Sequence, residues 1–364
     1  MKTGILSMQR VKNYGSFLQA LSLKSILEEY GHKVDFIDII PGKSYEGIEF
    51  CDSGEKDWNN QEFLTFRKKR DELIEQYGKK YLGLTTEKNY SNDYDFAIIG
   101  SDEVFNCIGN GNIGFTQQLF GKDVSRYTIT YAASCGHTTY EQIKKYNLEE
   151  TVKEGLLTLK KISVRDKNTY CFVENIMKSN ENIVENLDPV FIYDFKKYIP
   201  KMQINEDRYI VIYSYDYRLC NENEVKYIKE FASENGLKTI GLGLYQPWCD
   251  KNINVTPFEL LEYFKRADYV ITDTFHGAVF SIKYNKKFIG ISRSSNANKF
   301  DDLLFHLHLE ERKIKDMHKI QEIMDKDIQY ELINQFIKQE TDKSKKYIKT
   351  ELEKAKLSCT NKRE

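Results

Sequence analysis

Ala267-Asp268-Tyr269-Val270-Ile271-Thr272-Asp273-Thr274-Phe275-His276-Gly277-Ala278-Val279-Phe280-Ser281 is the stretch on which the reading of this chain turns. Tyr269 to Ile271 is a short aromatic and β-branched run, the pattern of a buried strand. Thr272 and Thr274 then offer caps for a helix starting near Phe275 and carrying Ala278, Val279, Ser281 and Ile282. Where a strand gives way to a helix, backbone N–H groups point into open space and favour an anion. His276 falls in that first turn, and Gly277 lets another group approach closely. Ligands of open α/β sheets bind at the carboxyl ends of the strands. The spacing therefore predicts an anion site with a proton-transfer group in it, although a His at a helix start also serves as a cap or a packing residue.

Outward from this turn, strand and helix alternate in both directions. Thr3 to Met8 reads as a strand, Ser16 to Tyr30 as an amphipathic helix with Phe17, Leu21, Ile26 and Leu27 on its buried stripe, and Lys33 to Ile40 as a second strand. Gly31 closes that helix. Gly42 to Asn92 has no clear period and reads as an irregular insertion with one helix over Phe63 to Tyr77. Asp95–Ile99, Tyr127–Ala133 and Lys161–Val164 return to strand pattern, and Asp188-Pro189 marks a strand end and a turn. The pattern lapses from Phe195 to Asp207. It then resumes with strands at Arg208–Tyr215, Lys238–Leu244, Tyr269–Thr272 and Lys287–Ser292, separated by helices at Glu224–Asn235 and Thr256–Arg266. This predicts an α/β protein with two Rossmann-like doubly wound domains, at 1–200 and 201–317, and a helical tail at 318–364.

Composition narrows the class. Lys and Arg number 54 against 55 Asp and Glu, so the basic excess of a nucleic-acid binder is missing. A charged fraction of 30% beside 40% hydrophobic residues fits a soluble globular chain, and no apolar run reaches bilayer length. The start lacks a signal-peptide core, and the seven scattered cysteines contain no Cys-x-x-Cys, so a cytoplasmic home without zinc or a disulfide framework is expected. Neither G-x-G-x-x-G nor a P-loop occurs. Several polar residues nonetheless fall just past strand ends. They are Asn13, Tyr14 and Ser16 in the first connection, Asp102 after the strand ending at Ile99, and Arg165 after Val164. Asp102 reads equally as a ligand contact or an N-cap, and Arg165 as a partner for Asp166 or a fork for a carboxylate or phosphate. Cys135 beside His137 is set aside as a nucleophile, since residues so near in sequence rarely meet in attack geometry.

Thr272-Asp273-Thr274-Phe275-His276-Gly277 resembles the T/S-D-S-F-H-G signature of the polysaccharide pyruvyl transferase family. Asn13 to Ala20, Gly100 to Asn106, Tyr131 to Gly136 and Ile162 to Asp166 resemble further stretches of that family in the same order, as do Asp188-Pro189 and Arg293. The likeness runs from the N-terminus to about Arg312. It implies a GT-B-like pair of domains facing a cleft, and transfer of the enolpyruvyl group of phosphoenolpyruvate to a sugar of a cell-surface polysaccharide or its precursor, forming a pyruvate ketal. On that resemblance His276 and Asp102 are the catalytic residues. Arg165, Arg293, Thr274, Phe275 and Gly277 bind the donor on the C-terminal side. Asn13, Tyr14, Ser16 and Asn106 bind the acceptor, a sugar or lipid-linked oligosaccharide, on the N-terminal side. No metal and no cofactor beyond the donor substrate is implied. Some branches of the family carry Arg-Leu-His where this chain has Thr274-Phe275-His276, so either Arg293 supplies the missing guanidinium or this branch uses another anion. The competing readings are a GT-B glycosyltransferase using a nucleotide sugar, and a non-catalytic sugar- or anion-binding protein. The sequence names neither the acceptor nor the oligomeric state.

Overall fold

A computed structural model of the chain describes residues 1–45, 59–108, 113–293 and 297–360. In chain order the first elements are β1 (Thr3–Leu6), α1 (Tyr14–Glu29), β2 (Val34–Ile37), α2 (Gln61–Tyr77), β3 (Phe96–Ile99), β4 (Thr128–Thr130), α3 (Tyr140–Lys145) and α4 (Glu149–Leu156). Next come β5 (Ile162–Val164), α5 (Lys167–Met177), β6 (Ile183–Glu185), α6 (Pro189–Ile192), β7 (Tyr209–Tyr213), α7 (Glu222–Glu234), β8 (Lys238–Leu242) and β9 (Lys251–Ile253). The last are α8 (Pro257–Arg266), β10 (Tyr269–Thr272), α9 (Phe275–Lys283), β11 (Lys287–Gly290), α10 (Ala297–His306), α11 (Ile320–Asp325) and α12 (Tyr330–Thr360).

These elements fall into two compact units. One holds Met1–Glu49, Gly78–Tyr193 and Gln335–Glu364; the other holds Phe50–Tyr77 and Asp194–Asn334. The division differs from a simple cut near residue 200, because two pieces join partners remote in sequence. Phe63 and Phe66 of α2 pack with Tyr217 and Tyr245, and Arg70 pairs with Asp216 at 2.8 Å, so α2 belongs to the second unit. The remainder of the expected insertion at 46–58 lies outside the described residues. The C-terminal half of α12 belongs to the first unit: Ile348, Leu352 and Ala355 are buried, and Tyr127 donates to Glu351 at 2.8 Å.

In the first unit β2-β1-β3-β4 form a parallel sheet, with Thr3 opposite both Val34 and Phe96. Isolated bridges Ile129–Lys161 and Ala133–Val164 carry it on to the parallel pair β5-β6. The strand order reverses between β1 and β3, so their carboxyl ends flank a topological switch point. α1 departs from the expected amphipathic stripe. Nearly all of it is buried, since α6 and the turn Gly78–Leu82 pack against it, and Tyr30 at its C-terminal end donates to the Lys345 carbonyl. Asp188 does not end a strand: it N-caps α6, with its side chain accepting from the Val190 amide at 3.0 Å.

The second unit has the parallel order β11-β10-β7-β8-β9, which reverses between β7 and β10. All five residues of β7 are buried, as a central strand covered on both faces requires. Burying side chains such as Ile210, Val211 and Ile212 contributes about 1.5–3 kcal/mol each, more than a helix cap at about 1 kcal/mol. The core therefore outweighs the turns that carry polar groups. Edge strand β9, Lys251-Asn252-Ile253, is exposed or half-buried, and its polar composition gives no strand signal in the sequence.

Candidate functional site

The turn after β10 forms as its sequence predicts. Thr272 Oγ1 donates to the Tyr213 carbonyl at 2.6 Å and accepts from the Thr274 amide at 3.0 Å. Thr274 N-caps α9, its hydroxyl accepting from the Gly277 amide at 2.9 Å. The close approach at Gly277 is internal. A Cβ there would lie 2.0 Å from Thr272 Oγ1 and 2.8 Å from Thr274 Oγ1, so the turn itself requires glycine. His276 is 9% exposed, with its ring 5.3 Å from Phe275 and 6.0 Å from Phe280. The two phenylalanines fix the imidazole against the start of α9.

Asp273 lies between the two threonines, fully buried at the switch point of the second sheet. Two guanidiniums converge on it. Arg218 Nε and Arg293 Nε each lie 3.7 Å from Asp273 Oδ2. Arg293 also forks onto Glu224, at 3.1 and 2.7 Å, while the Arg218 guanidinium stands 5.0 Å over the Tyr215 ring. Burial pushes the Asp273 carboxyl up to about 6, against the pull of Arg218, a Ser214 hydrogen bond and Arg293. Asp273, Arg218 and Glu224 were not singled out from the sequence. Asp273 carried a signal, a carboxylate just past a strand end, as Asp102 does. Arg218 and Glu224 carried none, because it is the order of the folded sheet that brings them to Asp273 and Arg293.

In the first unit the switch point gathers Ser16, Asp102 and Arg165. Ser16 donates to Asp102 Oδ2 at 2.7 Å, and Arg165 Nη2 lies 3.6 Å from Asp102 Oδ1. No helix follows Asp102, which removes the capping alternative; the residue holds φ +78°, a backbone conformation uncommon outside glycine. Arg165 is buried and donates to Asp188 at 2.7 Å. Burial alone would lower its pKa, and Asp188, Asp102 and Asp166 reverse that, so the guanidinium stays charged. Arg165 thus engages Asp188 within its own unit, while Arg293, Thr274, Phe275 and Gly277 belong to the other.

Three of the acceptor-side residues are engaged in the fold. Asn13 caps α1, accepting from Gly15 and Ser16 amides. Tyr14 is 1% exposed. Asn106 is buried, donating to Glu103 and accepting from Thr138, both at 2.8 Å. Ser16 is the one that meets a candidate catalytic group. The Cys135 thiol accepts from Asn168 at 3.1 Å and is pushed well above its ordinary pKa by burial, which suits a packed thiol. Among the described residues there is no cluster of three or more His, Cys, Asp or Glu able to hold a metal, and no helix long and apolar enough to cross a membrane.

Comparison with known proteins gives a family and a fold. The family model described as polysaccharide pyruvyl transferase matches residues 13–295. Among curated proteins, an NAD kinase of Ureaplasma parvum serovar 3 is 29% identical over 120 residues, 32% of this chain and 42% of that protein. The chain thus spans about two fifths of the length of this curated relative. Among solved structures, UDP-GlcNAc 2-epimerase of Neisseria meningitidis bound to UDP-GlcNAc is 11% identical with a TM-score of 0.50, covering 97% of this chain and 100% of that one. The spinosyn rhamnosyltransferase SpnG is 10% identical with a TM-score of 0.48, covering 97% and 100%. The likeness to the epimerase concerns the fold alone: two Rossmann-like α/β domains of the GT-B-like kind.

Proposed function

Because the chain belongs to the polysaccharide pyruvyl transferase family, we propose that it moves the enolpyruvyl group of phosphoenolpyruvate onto a sugar of a cell-surface polysaccharide precursor, in the cytoplasm, and closes it to a pyruvate ketal. The observation that carries the reading is the His276 turn. A histidine sits in the first turn of a helix at a sheet's switch point, within one motif of Asp273 and its two arginines.

The chemistry asks for a proton donor and for cations. C3 of the enol gains a proton, which His276 in its protonated form supplies, and C2 becomes cationic. A sugar hydroxyl attacks C2 while its proton passes to a base, the role given to Asp102. Phosphate leaves, and a second hydroxyl closes the ketal. Of the two hydroxyl protons released, one balances the proton gained at C3 and the other departs with phosphate. The donor's carboxylate and phosphate call for guanidinium forks, and Arg293 is the candidate in the second unit. Arg165, engaged by Asp188, is given a positioning role toward Asp102.

The test is incubation with phosphoenolpyruvate and a panel of activated sugars, scoring phosphate release and the acceptor's mass gain. A ketal product is expected. Release of a nucleoside diphosphate from a nucleotide sugar, without consumption of phosphoenolpyruvate, would make the protein a glycosyltransferase instead.

A further inference from the structure

Gln19 stands in α1 with its carboxamide wholly buried, a placement that is unfavourable unless its polar atoms find partners. Here they do. Oε1 accepts from the Ser101 amide at 3.2 Å, and Nε2 donates to Ser7 Oγ at 2.9 Å and to the Ser16 carbonyl at 3.1 Å. The opposite orientation would set the NH2 against the Ser101 N–H, so the partners fix the carboxamide. Ser7 in turn donates to the Ser101 carbonyl at 3.0 Å. Both backbone groups of Ser101 are thus held by one closed ring of hydrogen bonds. Ser7 follows β1 and Ser101 follows β3, the strands that flank the switch point of the first sheet. Ser101 is also the residue before Asp102, whose φ of +78° persists only where its surroundings over-determine it. From the other side the Ser134 amide donates to the Asp102 carbonyl at 2.9 Å. Ser16, a further partner of Gln19, is the residue whose hydroxyl donates to the Asp102 carboxylate at 2.7 Å. Gln19 therefore grips both the backbone that leads into Asp102 and the residue that meets its side chain.

We propose that Gln19 is a positioning residue for Asp102: its carboxamide ties the ends of β1 and β3 to the first turn of α1 and so sets where the Asp102 carboxylate stands. The inference deepens the reading of Asp102 as the base and rests on it. A base works only within hydrogen-bond reach of the hydroxyl it deprotonates, and a misplacement of about 1 Å costs about 10²-fold in rate. Gln19 itself touches no reacting atom. It acts through Ser101 on the backbone of Asp102, and through the first turn of α1 on Ser16. Substrate affinity is then the quantity it leaves alone, because the donor is assigned to residues of the other unit.

Phosphate release from phosphoenolpyruvate by the full chain, with the acceptor that wild type uses, separates positioning from mere support of the fold. Gln19→Met keeps a side chain of similar length and removes all three hydrogen bonds. It should lower kcat by about tenfold to 10²-fold while the donor KM stays within about twofold. Gln19→Glu adds a pH signature. Its protonated carboxyl can accept from Ser101 and donate to Ser7, whereas the ionised form can only accept. Its kcat relative to wild type should therefore fall as pH rises from about 5 to about 8, while the ratio for Gln19→Met stays flat. Wild-type kcat in folded Gln19→Met, or a rise in donor KM that accounts for the whole loss, overturns the inference. Should Gln19→Met fail to fold by circular dichroism, Ser7→Ala removes one hydroxyl of the ring and should lower kcat by about threefold to tenfold. An unchanged kcat there overturns the inference equally. If Asp102→Asn turns over at the wild-type rate, the base reading fails and takes this inference with it. If Asp102→Asn is inactive while folded Gln19→Met is not impaired, the inference fails alone.

Discussion

His276 and Asp102 stand at opposite ends of the proposed proton traffic, one giving to carbon and the other taking from a hydroxyl. His276→Gln keeps a side chain of similar length between Phe275 and Phe280, so the fold should persist by circular dichroism. Turnover should drop by about 10²-fold or more. Near-normal kcat in the folded variant would return His276 to a packing role. Asp273 yields a pH prediction. Its carboxyl titrates near pH 6 in the folded protein, above the value of a solvated aspartate, because burial disfavours the charge. The folded state therefore holds the proton to higher pH than the unfolded state. Its contribution is most favourable below about pH 4, is lost as pH rises from about 4 to about 6, and is constant above. Asp273→Asn removes that titration. Its stability relative to wild type, from urea melts, should rise by roughly 2–3 kcal/mol across that interval. A difference flat with pH would mean that the two arginines keep Asp273 ionised throughout.

At the scale of elements, the turn from β10 to α9 was legible because everything it needs is local. Two threonines, a glycine and a short β-branched run lie within a few residues of one another, and their hydrogen bonds close on themselves. Thr274→Ala should therefore cost about 1 kcal/mol, the usual worth of a cap. Gly277→Ala should cost more, about 1–3 kcal/mol, since a Cβ at 2.0 Å from Thr272 Oγ1 forces the turn to open. Chemical denaturation of both variants checks the order; equal costs would mean the turn relaxes freely. What the sequence hid was of another kind. Arg218 follows β7 and Glu224 opens α7, whereas Arg293 follows β11, and these become neighbours only through the order β11-β10-β7-β8-β9. α1 read as amphipathic because Phe17, Leu21, Ile26 and Leu27 form an apolar stripe. Its cover comes from α6 and the turn Gly78–Leu82, both remote in sequence, which no local period can announce.

At the scale of the molecule, the same non-locality governs the division into units. The charged terminal stretch reads either as a long helix folded back over the first domain or as a solvated tail, and the first holds: Tyr347 donates to the Thr130 carbonyl and Leu352 is 2% exposed within the first unit. Leu352→Ala should destabilise by about 2–5 kcal/mol, seen as a lower melting temperature; an unchanged melt would mean α12 contributes nothing to that unit. The account's central claim is the donor, and it is tested most directly by ligand-dependent thermal stability. A ligand held only by the folded state adds RT ln(1 + [L]/Kd), about 2.7 kcal/mol at a hundredfold excess over Kd. Phosphoenolpyruvate should raise the melting temperature of wild type, less so in His276→Ala and Arg293→Ala, while uridine diphosphate leaves it unmoved. Stabilisation by uridine diphosphate with no response to phosphoenolpyruvate would contradict the account.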